Sequence, residues 1–264
     1  DLSAFATGGA ISDNTTDLLQ AGLLNSGPLF QIQTGNRLLR PVEAWNFDLS
    51  LEYYFADVGS LTVALFQKDF KNLYGGGPTL RNFTSPSGVT TTVEVNGPIN
   101  FGKARLRGVE LSYIHAWDCL PGPLSGLGGQ FIYTYIDSKD FGSSGDVFGD
   151  LPQPGVSKHT VNAVVFYEKG PFSARAAYNW RSDYLQTPRD VIFPFSPIYG
   201  EASGQLDASV FLSLTDNIKI GAQGVNLLDE VTQTSQVIDF DGNRVTRSSF
   251  RNDRRFTFLV RFDF

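Results

Sequence analysis

The C-terminal stretch constrains the fold most. From Arg255 the residues alternate, with Phe256, Phe258, Val260, Phe262 and Phe264 at even positions and Arg255, Thr257, Leu259, Arg261 and Asp263 at odd ones. Successive side chains of a strand point to opposite faces. One face is therefore aromatic and aliphatic, the other mostly polar. A soluble sheet can carry this pattern with its apolar face inward. Here the sequence stops on the apolar face at Phe264, with nothing after it to cover that face. A strand in a lipid-embedded barrel needs this arrangement, apolar side chains to the acyl chains and polar ones to the lumen.

The same period runs through the chain. Trp45, Phe47, Leu49, Leu51, Tyr53 and Phe55 share a face against Ala44, Asn46, Asp48, Ser50 and Glu52. Further apolar rows are Leu61, Val63, Leu65; Val109, Leu111, Tyr113, Trp117; Leu127, Phe131, Tyr133, Tyr135; and Val161, Ala163, Val165, Tyr167. Phe172, Ala174, Ala176, Tyr178, Trp180 follow, then Leu206, Ala208, Val210, Leu212, Leu214, then Ile218, Ile220, Ala222, and the terminal row. That predicts about nine strands. Tight turns sit near Asp57, Gly122, Gly170 and Asn217, whereas 75–98, 139–156, 183–204 and 229–253 read as long loops. Short and long connections alternate, as the short periplasmic turns and long extracellular loops of outer-membrane barrels do. The C-terminus then lies on the periplasmic side. A soluble β-sandwich has no reason to sort its loops by length.

Residues 1–36 read as an extracellular loop region with a short strand near Leu29–Gln33, and 37–264 as barrel wall. Nine strands cannot close a bacterial single-chain barrel, which has an even number, and an open sheet leaves unpaired edges in lipid. The expectation is all-β: the C-terminal strands of a larger transmembrane antiparallel barrel. The chain begins at Asp1 without any Met and reads as part of a longer precursor or a processed fragment. No run of about 18 apolar residues forms a membrane helix, which says nothing against strands. A net charge of -6 argues against a nucleic-acid surface. One cysteine, Cys119, allows no internal disulfide.

Gly35-Asn36-Arg37-Leu38-Leu39-Arg40-Pro41-Val42-Glu43-Ala44-Trp45-Asn46 resembles the segment that leads into a barrel strand of TonB-dependent receptors. Phe47 to Phe55, Leu106-Arg107-Gly108-Val109-Glu110-Leu111, Val225-Asn226-Leu227-Leu228-Asp229 and Arg255 to Phe264 are similar too, so the resemblance covers roughly 35–264. It departs at Arg37, where the family usually has Pro. The resemblance implies a barrel of about 22 strands around an N-terminal plug, and active import across the outer membrane energised by the TonB complex. Phe101 through Trp117 to Tyr133 further resembles a branch that often serves carbohydrate uptake. The terminal Phe resembles the signal read by the barrel-assembly machinery, with Phe256, Phe258, Phe262 and Phe264 as its lipid-facing row.

By parity Arg175, Asn179, Arg181, Asp207, Arg255 and Arg261 face the lumen, as contacts for plug or substrate or as a solvated inner wall with ion pairs. Tyr184, Phe193, Phe195 and Tyr199 lie among prolines in one long loop, where aromatic faces could stack on sugar rings or pack locally. Asp239-Phe240-Asp241-Gly242-Asn243 has oxygen ligands but lacks the spacing and closing Glu of a calcium loop. Asp-Gly between Val237-Ile238 and Val245 reads as a hairpin tip, so the last two strands project beyond the membrane. His115 and His159 are isolated, and no Gly-x-Ser-x-Gly occurs. No enzyme, cofactor or metal is expected. The first reading is TonB-dependent import of a scarce solute: a carbohydrate first, otherwise an iron chelate or cobalamin. The rivals are a passive or structural barrel completed by another chain, and a soluble all-β binding module.

Overall fold

The computed structural model describes residues 11–12, 30–33, 35–84, 88, 90–141, 148, 150–190 and 196–262. Its strands are β1 (Ile11–Ser12), β2 (Phe30–Gln33), β3 (Glu43–Ala56), β4 (Gly59–Thr84), β5 (Thr90–Ala116), β6 (Leu127–Lys139), β7 (His159–Lys169) and β8 (Phe172–Arg181). There follow β9 (Tyr184–Thr187), β10 (Ile198–Gly200), β11 (Ser203–Thr215), β12 (Ile218–Val225), β13 (Val231–Val237), β14 (Arg244–Arg251) and β15 (Arg255–Phe262).

The chain forms two compact units, 1–44 with 70–103 and 45–69 with 104–264. In the first, β2 pairs parallel with β5 and antiparallel with β1. Asn100 clasps the segment before β3: its Oδ1 accepts from Arg40 N at 2.7 Å and its Nδ2 donates to Arg40 O at 2.9 Å and Asn72 O at 2.7 Å. Asn36 closes the preceding turn by accepting from Leu38 N at 2.9 Å, and Leu39 is buried beneath it. The Gly35–Val42 sequence thus supplies one buried apolar residue and a polar turn that aims the chain into β3.

The second unit contains the wall. Its strands run β3-β4-β5-β6-β7-β8-β11-β12-β15, nine among the described residues, as the periodicity predicts. Register fixes the faces. Leu127, Tyr167, Ala174, Val210, Ala222 and Phe258 stand opposite one another in sequence across six strands. Leu111, Tyr133, Val161 and Trp180 form a parallel row. Every apolar row from β5 onward joins this one face. The other face carries Arg175, Ser209, Gln223 and Thr257 in one row, and Asn162, Asn179 and Gln205 in another. On the edge strand β3, Phe47, Leu49 and Leu51 are 60–71% exposed rather than set in a core.

The turn end matches expectation. Two-residue turns join β3 to β4, β7 to β8 and β11 to β12, and a short 3-10 turn at Gly122–Gly126 joins β5 to β6. At the loop end the structure corrects three loops. Most of 75–98 is strand, because β4 and β5 run 26 and 27 residues, far beyond the roughly 9–11 a membrane crossing needs. The 183–204 connection contains β9 and β10, and 229–253 contains the hairpin β13–β14. These four form a separate antiparallel sheet, β14-β13-β10-β9. Between Asp140 and Lys158 no strand occurs among the described residues.

Candidate functional site

The four-stranded sheet and the upper second face of the wall hold most of the structured polar chemistry. The sheet has a small core of its own: Leu185, Pro197, Ile198 and Val237 are buried. Ser196 Oγ donates to Val237 O at 2.6 Å, and Ser235 Oγ donates to Glu201. Gly200 is required under the Tyr184 ring, where a Cβ would come within 2.4 Å of a ring carbon.

Arginines of β14 tie the hairpin to other segments. Arg244 donates to Asp183 at 2.9 Å and stacks over the Tyr199 ring at 3.5 Å. Arg247 donates to the buried Asp190 at 2.9 Å, and Arg251 pairs with Asp229. That bond holds the Asp229 carboxyl below its ordinary value, with Arg254 adding to the pull. Burial pushes the Tyr199 hydroxyl up, against the opposing field of Arg244. At the hairpin tip Asp239 accepts from the Asn243 side chain at 2.7 Å and from the Asn243 and Asp241 backbones at 3.0 and 3.1 Å. These bonds depress its carboxyl, the Asn243 side chain foremost. Gly242 takes φ 85 there, so 239–243 is a hairpin tip closed by Asp239.

The Val225-Asn226-Leu227-Leu228-Asp229 motif is a sharp turn between wall and hairpin. Asn226 and Asp229 both have positive φ, a conformation Asn and Asp accept more readily than most side chains. Asn226 N donates to Asp207 Oδ1 at 2.9 Å, Glu230 N donates to Asn226 Oδ1 at 2.9 Å, and Gly204 N donates to Glu230 Oε1 at 3.0 Å. Asn226 Nδ2 donates to Asn252 O.

Of the residues singled out by parity, Asn179 stands between Asn162 and Gln205 and lines a recess of about 280 Å³. Asp207 is engaged by Asn226 N and by Gln205 Nε2 at 2.9 Å. Arg181 donates to Ser157 Oγ at 2.7 Å and Gly155 O at 2.9 Å and lies 3.8 Å over the Tyr184 ring. Arg175 lies opposite Ser209, Arg255 opposite Val225, and Arg261 opposite Lys219, spread along the second face rather than gathered. Tyr184 and Tyr199 each have a ring face covered by an arginine. Phe193, Phe195 and Phe264 lie outside the described residues. Phe256, Phe258 and Phe262 share the apolar face of β15 opposite Gly224, Ala222 and Ile218, at 57–82% exposure. The sequence reading missed Asn162, Gln205 and Glu230. Parity was available for the first two; the third depends on the turn that brings it back.

The comparisons agree with the wall. The family model described as TonB dependent receptor-like, beta-barrel, matches residues 5–227. The chain belongs to that family. Among solved structures it is similar to the siderophore receptor PirA of Acinetobacter baumannii, at 16% identity and TM-score 0.57, over 88% of this chain and 33% of that one. It is similar to a variant of the ferric enterobactin receptor PfeA of Pseudomonas aeruginosa, at 16% identity and TM-score 0.59 over the same shares. The copper transporter OprC is similar at 18% identity and TM-score 0.53, over 86% of this chain and 32% of that one. The chain thus spans about a third of the length of these receptors. No curated protein matches it.

Proposed function

We propose that this chain is the C-terminal part of an outer-membrane β-barrel that imports a scarce solute, energised by the TonB complex. One observation carries the reading: register collects every apolar row from β5 onward on one face and sets Asn162, Arg175, Asn179, Gln205, Ser209 and Gln223 on the other. A sheet of that kind suits hydrocarbon on one side and an aqueous lumen on the other. The partners are the remaining barrel strands, an N-terminal plug in the lumen, outer-membrane lipid and the barrel-assembly machinery. The long connections face outward from the cell, and Arg175, Asn179, Arg181, Asp207, Arg255 and Arg261 line the lumen.

The favoured solute is an oligosaccharide. The recess beside Asn179, rich in side-chain amides and hydroxyls and with Arg181 and Glu230 balancing in charge, supports it; Tyr184 and Tyr199 do so less, since each has a ring face occupied. Uptake of labelled solute by cells carrying the complete receptor, with and without an active TonB complex, tests the import mechanism. Uptake that continues without TonB would mean a passive pore, and extraction without detergent would mean a soluble module.

A further inference from the structure

The recess at the loop end of the second face is walled by side-chain amides. Asn162, Asn179 and Gln205 stand opposite one another on β7, β8 and β11, and Thr160, Thr232 and Asn252 complete much of the lining. The two charged groups of its lining, Arg181 and Glu230, are of opposite sign and are positioned by uncharged partners. Arg181 is held by Ser157, Gly155 and the Tyr184 ring. Glu230 accepts from Gly204 N, and Asp207 from Gln205 and Asn226. The amides of Asn162 and Asn179, by contrast, make no hydrogen bond among the described residues.

This selects a class of occupant. A phosphate or carboxylate entering here would meet the Glu230 carboxylate as well as the Arg181 guanidinium, and a charged metal complex would meet the same opposed pair, so neither gains a net counter-charge for the water it loses. An apolar occupant would leave the amides unsatisfied. Each side-chain amide offers two donors and an acceptor oxygen with two lone pairs. Adjacent hydroxyls, which both donate and accept, match that pattern. A volume of about 280 Å³ lies near the low end of the roughly 300–1,000 Å³ of pockets that hold drug-sized molecules, so it takes one ring of a larger solute.

We infer that Asn162 and Asn179 form a specificity-determining subsite for one ring of a neutral, polyhydroxylated solute. The inference rests on the import reading above and deepens it. The test uses the complete receptor in detergent, titrated calorimetrically with maltotriose, xylotriose and cellotriose, and separately with ferric enterobactin and cyanocobalamin. Replacing both residues, Asn162→Ala with Asn179→Ala, removes at least two hydrogen bonds and weakens sugar binding roughly 10–100-fold. The isosteric Asn162→Asp with Asn179→Asp, which keeps shape but removes donors, also weakens it and guards against a packing defect in the alanine protein. Equal sugar affinity in parent and both variants overturns the subsite and leaves the sugar reading standing. A parent that binds only the chelate or cobalamin overturns both. Variants whose melting temperature shifts while sugar affinity holds mean that the amides contact the plug, which also overturns the subsite.

Discussion

Arg247→Ala should loosen the β13–β14 hairpin from the β9–β10 connection by about 2 kcal/mol. Arg247 is the extra residue of the bulge at which the register passes from Thr234↔Ser248 to Ser235↔Thr246. The bulge puts its guanidinium on Asp190, which lies between β9 and β10 and also accepts from Gln236 Nε2 at 3.2 Å. The aspartate side chain is 7% exposed and the arginine 35%. At about 4 Å and an effective dielectric of about 20, the Coulomb attraction is about 4 kcal/mol. Dehydration of the carboxylate offsets part of this, and water screens the exposed half of the guanidinium. Breaking a fully buried pair costs about 3–5 kcal/mol and a surface pair about 0–1. A buried carboxylate with a partly exposed partner belongs between those limits.

A loss of about 2 kcal/mol corresponds to roughly 30-fold faster local opening. Hydrogen exchange at Ser235, Gln236 and Val237 in the assembled receptor reads it directly. Most of the cost comes from the carboxylate left without its main partner, so adding Asp190→Asn to Arg247→Ala should recover part of the protection. Unchanged exchange in the single variant, or faster exchange in the double one, would refute the reasoning.

Three further outcomes follow from the same geometry. Val210→Arg, in the middle of the row Ala174–Val210–Ala222, should cost about 2–4 kcal/mol in a bilayer and reduce the heat-modifiable folded fraction, whereas Ser209→Arg on the opposite face should not. Asp239 has its folded-state value below its ordinary 3.8, so the unfolded tip binds more protons; its stabilisation is present above about pH 4 and is lost as pH falls through the folded value. Exchange at Asp241 and Asn243 should therefore speed up below about pH 4 beyond the intrinsic rate, and Asp239→Asn should abolish that dependence. Gly200→Ala should destabilise the four-stranded sheet by about 1–3 kcal/mol in exchange measurements, through collision with the Tyr184 ring, and Tyr184→Leu should relieve it.

What the sequence made legible follows from which solvent each strand meets. Wall strands such as Phe172 to Arg181 alternate because one face is apolar throughout, and a single parity choice fixes ten residues at once. The strands of the smaller sheet show no such row: Tyr-Leu-Gln-Thr, Ile-Tyr-Gly and Val-Thr-Gln-Thr-Ser-Gln-Val are short, mixed, and partly buried on both sides. Their pairing is also non-local, Tyr199 with Leu185 and with Ser235, so no hairpin signal announces it. Gly75-Gly76-Gly77-Pro78 reads as a loop by composition, yet lies within β4. The arginines at 244, 247 and 251 were visible as residues but not as a set, because the bulge breaks the parity that would group them.

The two sheets also end differently, and the difference bears on assembly. β14 is an edge that protects itself: a bulge distorts it, and its arginines are bonded to aspartates of other segments. Such devices suit an edge that stays open in water. β15 pairs with β12 along eight residues without a register shift and keeps Phe256, Phe258 and Val260 unbroken on one face, with its arginines on the other. Among the described residues its other side is unpaired, a straight row of backbone donors and acceptors. In hydrocarbon those groups have no water to turn to, and in water the same straight edge would recruit other strands. β3, the other end of the wall, is likewise a long strand, paired among the described residues with β4 alone. Among the described residues both ends of the wall therefore carry the chemistry of a seam rather than of a finished edge, and in the proposed barrel further strands close between them.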